Sequence, residues 1–174
     1  IILPTYGESS LGFFLANGGY YHKFKNDRFS TAITGDIYTK GSWALYNTSK
    51  YATRYKNSGN LKFTYRKTKT GEKEFDDYSE ETDFLVEWTH KQDPKSIPGL
   101  SFQATLKAGT GSVYENDFGN NAVAPENYLT NTFNSNIALG KTFKKIPSNL
   151  SVNLRHSQNT NTGIISFTLP DVTY

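Results

Sequence analysis

The sequence has no cysteine, no methionine, three histidines, and no run of apolar side chains longer than the four from Phe13 to Ala16. Without cysteine there is no disulfide framework, thiolate metal site or cysteine nucleophile. His22, His90 and His156 show no His-x-x-x-His spacing, so no zinc site is expected. With apolar runs this short no transmembrane helix forms, because a span needs about 20 apolar residues. A dominant charge sign is also missing. The chain has 19 basic and 16 acidic residues and a formal net charge of +3, too balanced to point to a nucleic-acid partner. Catalytic signatures are equally scarce. Gly-Thr-Gly-Ser at Gly109 to Ser112 lacks the Gly-Lys-Ser/Thr of a phosphate loop, and there is no Gly-x-Ser-x-Gly elbow. Nothing in the sequence fixes the separation of Asp36 and Glu87 as a glycosidase pair. No catalytic residue, metal or cofactor is expected. An opening Ile-Ile-Leu-Pro-Thr-Tyr-Gly without methionine reads as part of a longer protein.

Aromatic residues, by contrast, are plentiful. Only 36% of residues are hydrophobic, yet 15% are aromatic, with 12 Tyr, 12 Phe and 2 Trp. A chain so rich in rings is expected to fold, since disorder goes with their scarcity. Its period is two. Phe29, Thr31, Ile33, Gly35 and Ile37 alternate with Ser30, Ala32, Thr34, Asp36 and Tyr38. Trp43, Leu45, Tyr51 and Tyr55 oppose Ser42, Tyr46, Thr48 and Lys50. Leu61, Phe63 and Tyr65 oppose Lys62, Thr64 and Arg66. Phe84, Val86, Trp88 and His90 oppose Leu85, Glu87 and Thr89; Leu100, Phe102, Ala104 and Leu106 oppose Ser101, Gln103, Thr105 and Lys107. Phe133, Ile137 and Leu139 follow, then Leu150, Val152 and Leu154 against Asn149, Ser151, Asn153 and Arg155, and finally Ile165, Phe167 and Leu169. Turns are expected at Thr39 to Ser42, at Lys56 to Asn60 and at Gln92 to Gly99. With Gly12 to Phe24 as the first strand, this gives an all-β antiparallel meander of about nine strands.

Two architectures fit that alternation. In a soluble β-sandwich the apolar faces are sealed between two sheets. In a transmembrane β-barrel they face lipid, and aromatic girdles mark the two interfaces. As a sandwich, the protein would be a secreted or surface carbohydrate-binding domain, with Trp43, Trp88 and clustered Tyr stacking on sugars. As a barrel, Asp36, Lys50, Lys62, Arg66, Glu87, Lys107 and Arg155 are candidates for a polar, lumen-facing wall. Periodicity alone does not choose. The acidic stretch from Glu72 to Asp83 lacks calcium-loop spacing and reads as a solvated loop. The basic run from Tyr65 to Lys73 suits phosphorylated headgroups, although an unpartnered charged loop accounts for it as well.

The segment from Leu3 to Tyr51, with its aromatic-rich first strand, "TGDIYT" second strand, short turn and Trp-bearing third strand, resembles the start of the barrel in the LptD family of lipopolysaccharide-assembly proteins. The stretches "FLVEWTHKQDP…GLSFQATL", "NYLTNTFNSNIALGKTF" and "LSVNLRHSQNTNTGIISFTLP" resemble, in order, the strands that follow in that family, so the resemblance spans the whole chain. It implies that residues 1–11 connect from an upstream periplasmic jelly-roll domain and that residues 12–174 are N-terminal strands of a bacterial outer-membrane barrel. The implied partners are lipopolysaccharide, a lipoprotein plug in the lumen, the periplasmic lipopolysaccharide-transport bridge reached through the jelly roll, and membrane lipids, with no nucleic acid. It also implies a lateral gate at the first strands. Where family members carry strand-breaking prolines this chain has Gly18 or Gly19 and Gly35; a β-bulge or close packing also accounts for these glycines. One conflict follows. If the first strand is Gly12 to Phe24 and starts in the periplasm, the connections within 68–83 and 109–132 fall on the side where such barrels keep short turns. Either a strand is uncounted or these stretches are partly strand.

Overall fold

Alternation with period two yields extended strands whose side chains divide between two faces. In the computed structural model, residues 1–24, 27–71, 73–110, 113, 132–143, 148–160 and 162–173 are described, without the side chain of Leu169. They contain ten strands and no helix: β1 Thr5–Ser9, β2 Gly12–Lys23, β3 Phe29–Tyr38, β4 Trp43–Thr53, β5 Asn57–Thr70, β6 Ser79–Gln92, β7 Leu100–Gly109, β8 Thr132–Phe143, β9 Ser148–Asn159 and β10 Ile165–Thr173. They form one antiparallel sheet in sequence order, with β1 and β10 as its edges. The all-β meander is therefore as read from the sequence, and the sheet is not closed within these residues, as expected of part of a barrel.

Three local differences from the sequence reading have physical causes. The segment expected as a connector contains β1, which pairs Thr5 to Ser9 with Gly12 to Ala16 and raises the count to ten. The turn expected at Lys56 to Asn60 lies at 54–56, where Tyr55 takes φ 59° and the Lys56 N–H donates to the Thr53 carbonyl at 2.9 Å. Gly59 is instead a strand residue under a ring. A Cβ there would lie 2.2 Å from the Tyr51 ring, and Tyr51 reaches across it to bond His90 Nδ1 at 2.7 Å. Phe133, expected on the apolar face, is fully buried and clusters with Leu85 and Val113.

β1 and the strand lengths together resolve the parity conflict. β5 runs to Thr70 and β6 starts at Ser79, so much of 68–83 is ladder. Counting from β1, the strand ends on the side of Ile1 are separated in sequence by no more than seven residues: Lys23 from Phe29, Thr53 from Asn57, Gln92 from Leu100 and Phe143 from Ser148. The two longest separations, Thr70 to Ser79 and Gly109 to Thr132, are between strand ends at the opposite side. Of the second only Thr110 and Val113 are described, so the Gly111 and Ser112 of the Gly-Thr-Gly-Ser motif lie outside the described residues.

Burial is inverted relative to a water-soluble sheet. On one face Ile33 (48% exposed), Ile37 (59%) and Leu45 (40%) stand open, with Phe13, Leu15, Phe84 and Leu154 also exposed. On the other, Asp36 (1%), Arg66 (3%) and Asp83 (0%) are buried. No second sheet covers the apolar side among the described residues. This rules out the sandwich, whose inner faces are the apolar ones.

Candidate functional site

Register decides which side chains share the polar face. Lys62, Glu87 and Lys107 are direct cross-strand neighbours on β5, β6 and β7. Arg66 lies between Ala44 and Asp83. Asp36 opposes Ala44, and Lys50 opposes Asn60. Arg155 opposes Asn136, which opposes Thr105. Because a strand alternates with period two, all seven sequence candidates therefore stand on one face. They do not form a single cluster. Glu87 pairs with Lys107 at 3.1 Å, and Lys62 sits across from Glu87 beside a concavity of about 290 Å³ whose lining includes Thr34, Tyr46, Thr48, Thr64 and Arg66. The Arg66 guanidinium donates to the Val113 carbonyl at 2.8 Å, fixing that residue of the β7–β8 connection against the wall.

The opposite face carries an apolar band bounded by rings. On β4 it runs from Trp43 to Tyr51, eight rises or about 26 Å along the strand at roughly 3.3 Å each, which at a strand tilt of about 40° spans about 20 Å of the roughly 25 Å height of an outer-membrane apolar band. Trp43 packs on Tyr65 with ring centroids 5.4 Å apart. At the other end Tyr51, Trp88, His90 and Phe102 cluster; the Trp88 indole N–H donates to the Tyr51 hydroxyl at 3.1 Å, and Tyr51 in turn meets His90. Beyond Trp43 and Tyr65 the basic and acidic runs of the sequence face each other. They form the two arms of the β5–β6 hairpin, with Lys67 and Lys69 2.6 and 3.7 Å from the Glu80 carboxylate.

Three polar residues interrupt the band; the alternation placed Thr31 on this face but did not mark Asn47 or Ser49. Thr31, Asn47 and Ser49 share the face of Ile33 and Leu45. The Asn47 amide donates to Thr31 (3.0 Å), the Thr31 hydroxyl then donates to Ser49 (2.9 Å), and Ser49 donates to Asn47 Oδ1 (3.0 Å). The ring closes on itself. It satisfies hydroxyls that hydrocarbon would otherwise leave unpaired at a cost of several kcal/mol each.

The edge hairpin has its own geometry. Gly18 and Gly35 are direct partners and Gly19 opposes Thr34, so the three gate candidates meet. Between Leu15↔Ile37 and Gly18↔Gly35 the register shifts: Ala16 and Asn17 together face the single residue Asp36, a β-bulge, with Asn17 at φ 57°. Gly19 lies too close to β3 for any side chain, since a Cβ would sit 2.0 Å from the Ile33 carbonyl. Sequence reading missed Pro4. It falls where β1 breaks, between Thr5↔Ala16 and the isolated bridge Ile2↔Gly19, and packs 3.0 Å from where a Gly18 Cβ would be.

An exposed apolar band between aromatic rows, backed by a charged face, is the organisation of a membrane β-barrel wall. A family model described as LptD protein matches residues 1–174. The chain belongs to the LptD family. No curated protein matches this LptD-family chain, and no solved structure does. The family is one of lipopolysaccharide transport and assembly.

Proposed function

We propose that this LptD-family chain forms leading strands of the outer-membrane wall through which lipopolysaccharide reaches the outer leaflet. The observation that carries the reading is the inverted burial: the apolar face is open across one uncovered sheet, while Asp36, Arg66 and Asp83 are buried on the charged face. The apolar band meets lipid tails. The face of Asp36, Lys50, Lys62, Arg66, Glu87, Lys107 and Arg155 lines a wet lumen that also receives a lipoprotein plug. β1 and β2, with Pro4, Gly18, Gly19 and the facing Gly35, form one side of a lateral gate, since proline and glycine both weaken strand pairing. The side of Ile1, with its short connections, faces the periplasm, the jelly-roll domain and the transport bridge beyond it.

Single cysteines placed at Ile33 and at Thr48 in the full-length protein in membranes test the wall. A water-soluble maleimide is expected to label Thr48→Cys and spare Ile33→Cys; equal labelling would sink the assignment of faces. For the gate, Gly35→Val puts a branched side chain where a Cβ already lies 3.0 Å from the Ala44 carbonyl. Lipopolysaccharide export and envelope permeability are expected to be impaired, and unchanged export removes the gate.

A further inference from the structure

We infer that Asp36 is a positioning residue: its carboxylate, by capturing the Asn17 N–H, fixes the bulge in β2 and so sets the register in which the edge hairpin meets the wall. The inference deepens the gate reading, but its geometry stands without it. The register on either side of the β1 break puts Asn17 opposite Pro4. The bridge Ile2↔Gly19 is a hydrogen-bonded pair, with N–H···O contacts of 2.7 and 3.0 Å in both directions. Such pairs recur at every second residue of an antiparallel ladder, so Pro4 and Asn17 should exchange the next two bonds. Pro4, without an N–H, cannot complete that exchange, and the Asn17 N–H donates to Asp36 Oδ1 at 2.7 Å. On the other flank Asp36 is the one residue of β3 that faces two of β2. One side chain thus holds a main-chain donor at the point where the ladder is interrupted on both flanks.

Asp36 is itself held. Its second oxygen accepts from the Tyr46 hydroxyl at 3.0 Å, and only 1% of the residue is exposed. The clamp therefore runs from β2 through β3 to β4. Without it, the Asn17 N–H loses its charged acceptor at a residue held in the left-handed conformation, and the bulge loses the bond that pins it. β2 can escape by absorbing the bulge, which slips Gly18 to Lys23 by one residue. The slip exchanges faces, sending Tyr20 and His22 off the apolar side.

Disulfide mapping in the full-length protein reads the register directly, and residues 1–174 contribute no native cysteine. In the clamped register Tyr20 faces Ile33; in the slipped one it faces Ala32. The pair Tyr20→Cys with Ile33→Cys is expected to cross-link in the parent and to lose to Tyr20→Cys with Ala32→Cys in an Asp36→Ala background. The yield ratio is expected to shift roughly tenfold or more, a factor that about 1.4 kcal/mol produces. Asp36→Asn keeps Oδ1 as acceptor and can donate to the Tyr46 oxygen, so it should restore the parent ratio; a general loss of packing would not be rescued in this way. An unchanged ratio in Asp36→Ala overturns the inference, as does a shift of the same size in Asp36→Asn. If the ratio shifts while lipopolysaccharide export does not, the positioning role stands and the gate reading falls.

Discussion

Single residues in this sheet are constrained by what lies on their own face more than by their neighbours in sequence. Thr31, Asn47 and Ser49 look like breaks in an apolar stripe, yet their mutual hydrogen bonds make them compatible with hydrocarbon. Removing one member should be worse than removing all three. Ser49→Ala strands the Thr31 donor and is expected to cost about 1–3 kcal/mol, whereas Thr31→Val, Asn47→Leu and Ser49→Ala combined should be nearly neutral. Urea unfolding of the refolded full-length barrel would show the ordering, and additive losses would contradict it. Tyr51 offers a second test. Tyr51→Phe retains the ring over Gly59 but loses the bonds to His90 and Trp88, for an expected destabilisation of about 1–2 kcal/mol. Gly59→Ala drives a methyl into that ring and should be the more damaging of the two, as measured by the denaturation midpoint.

Among the elements, β1 and β2 are where pairing is weakest by construction. Pro4→Ala returns an N–H to the break between Ile2 and Thr5. Because the facing Asn17 N–H is already engaged by Asp36, at most one bond is regained, and the hairpin should gain about 1 kcal/mol. If the gate must open there, this variant should export lipopolysaccharide more slowly while unfolding at higher denaturant. Faster or unchanged export would show that the break is not part of the opening. Most strands were legible in advance because Ile33, Ile37, Leu45 and Phe84 follow the alternation without exception, and the turns at 39–42 and 93–99 carry glycine or proline. What was hidden is what alternation does not encode. β1 is short and lies next to a proline, so it reads as a connector. Gly59 looks like a turn glycine but serves a cross-strand ring, and Phe133 follows the pattern of the outer face while packing among Leu85 and Val113. The polar wall was readable as a set of residues, and a β-bulge was one reading of Gly18, Gly19 and Gly35; its place at Asn17, opposite Asp36, was hidden, because Asn17 signals it only through its backbone.

Across the whole sheet, the two longest separations between consecutive strands fall at the end opposite Ile1. The connections at 54–56 and 93–99 are short, and that at 71–78 carries Glu74, Asp76 and Asp77 on a longer hairpin. An epitope inserted after Lys73 in the full-length protein is expected to bind antibody on intact cells. The same epitope after Tyr55 should bind only once the outer membrane is permeabilised. The reverse pattern would invert the sheet in the membrane and move Ile1 to the cell exterior.

The stripe of greasy side chains on this wall exists only once the strands are laid side by side. Stretched out, the same polypeptide never presents more than four oily residues consecutively, which is too few to arrest it in a lipid bilayer met along the way. On the outer-membrane placement proposed above, these residues would travel as an ordinary polar chain and turn insoluble in water only as the strands pair, beside the bilayer that receives them.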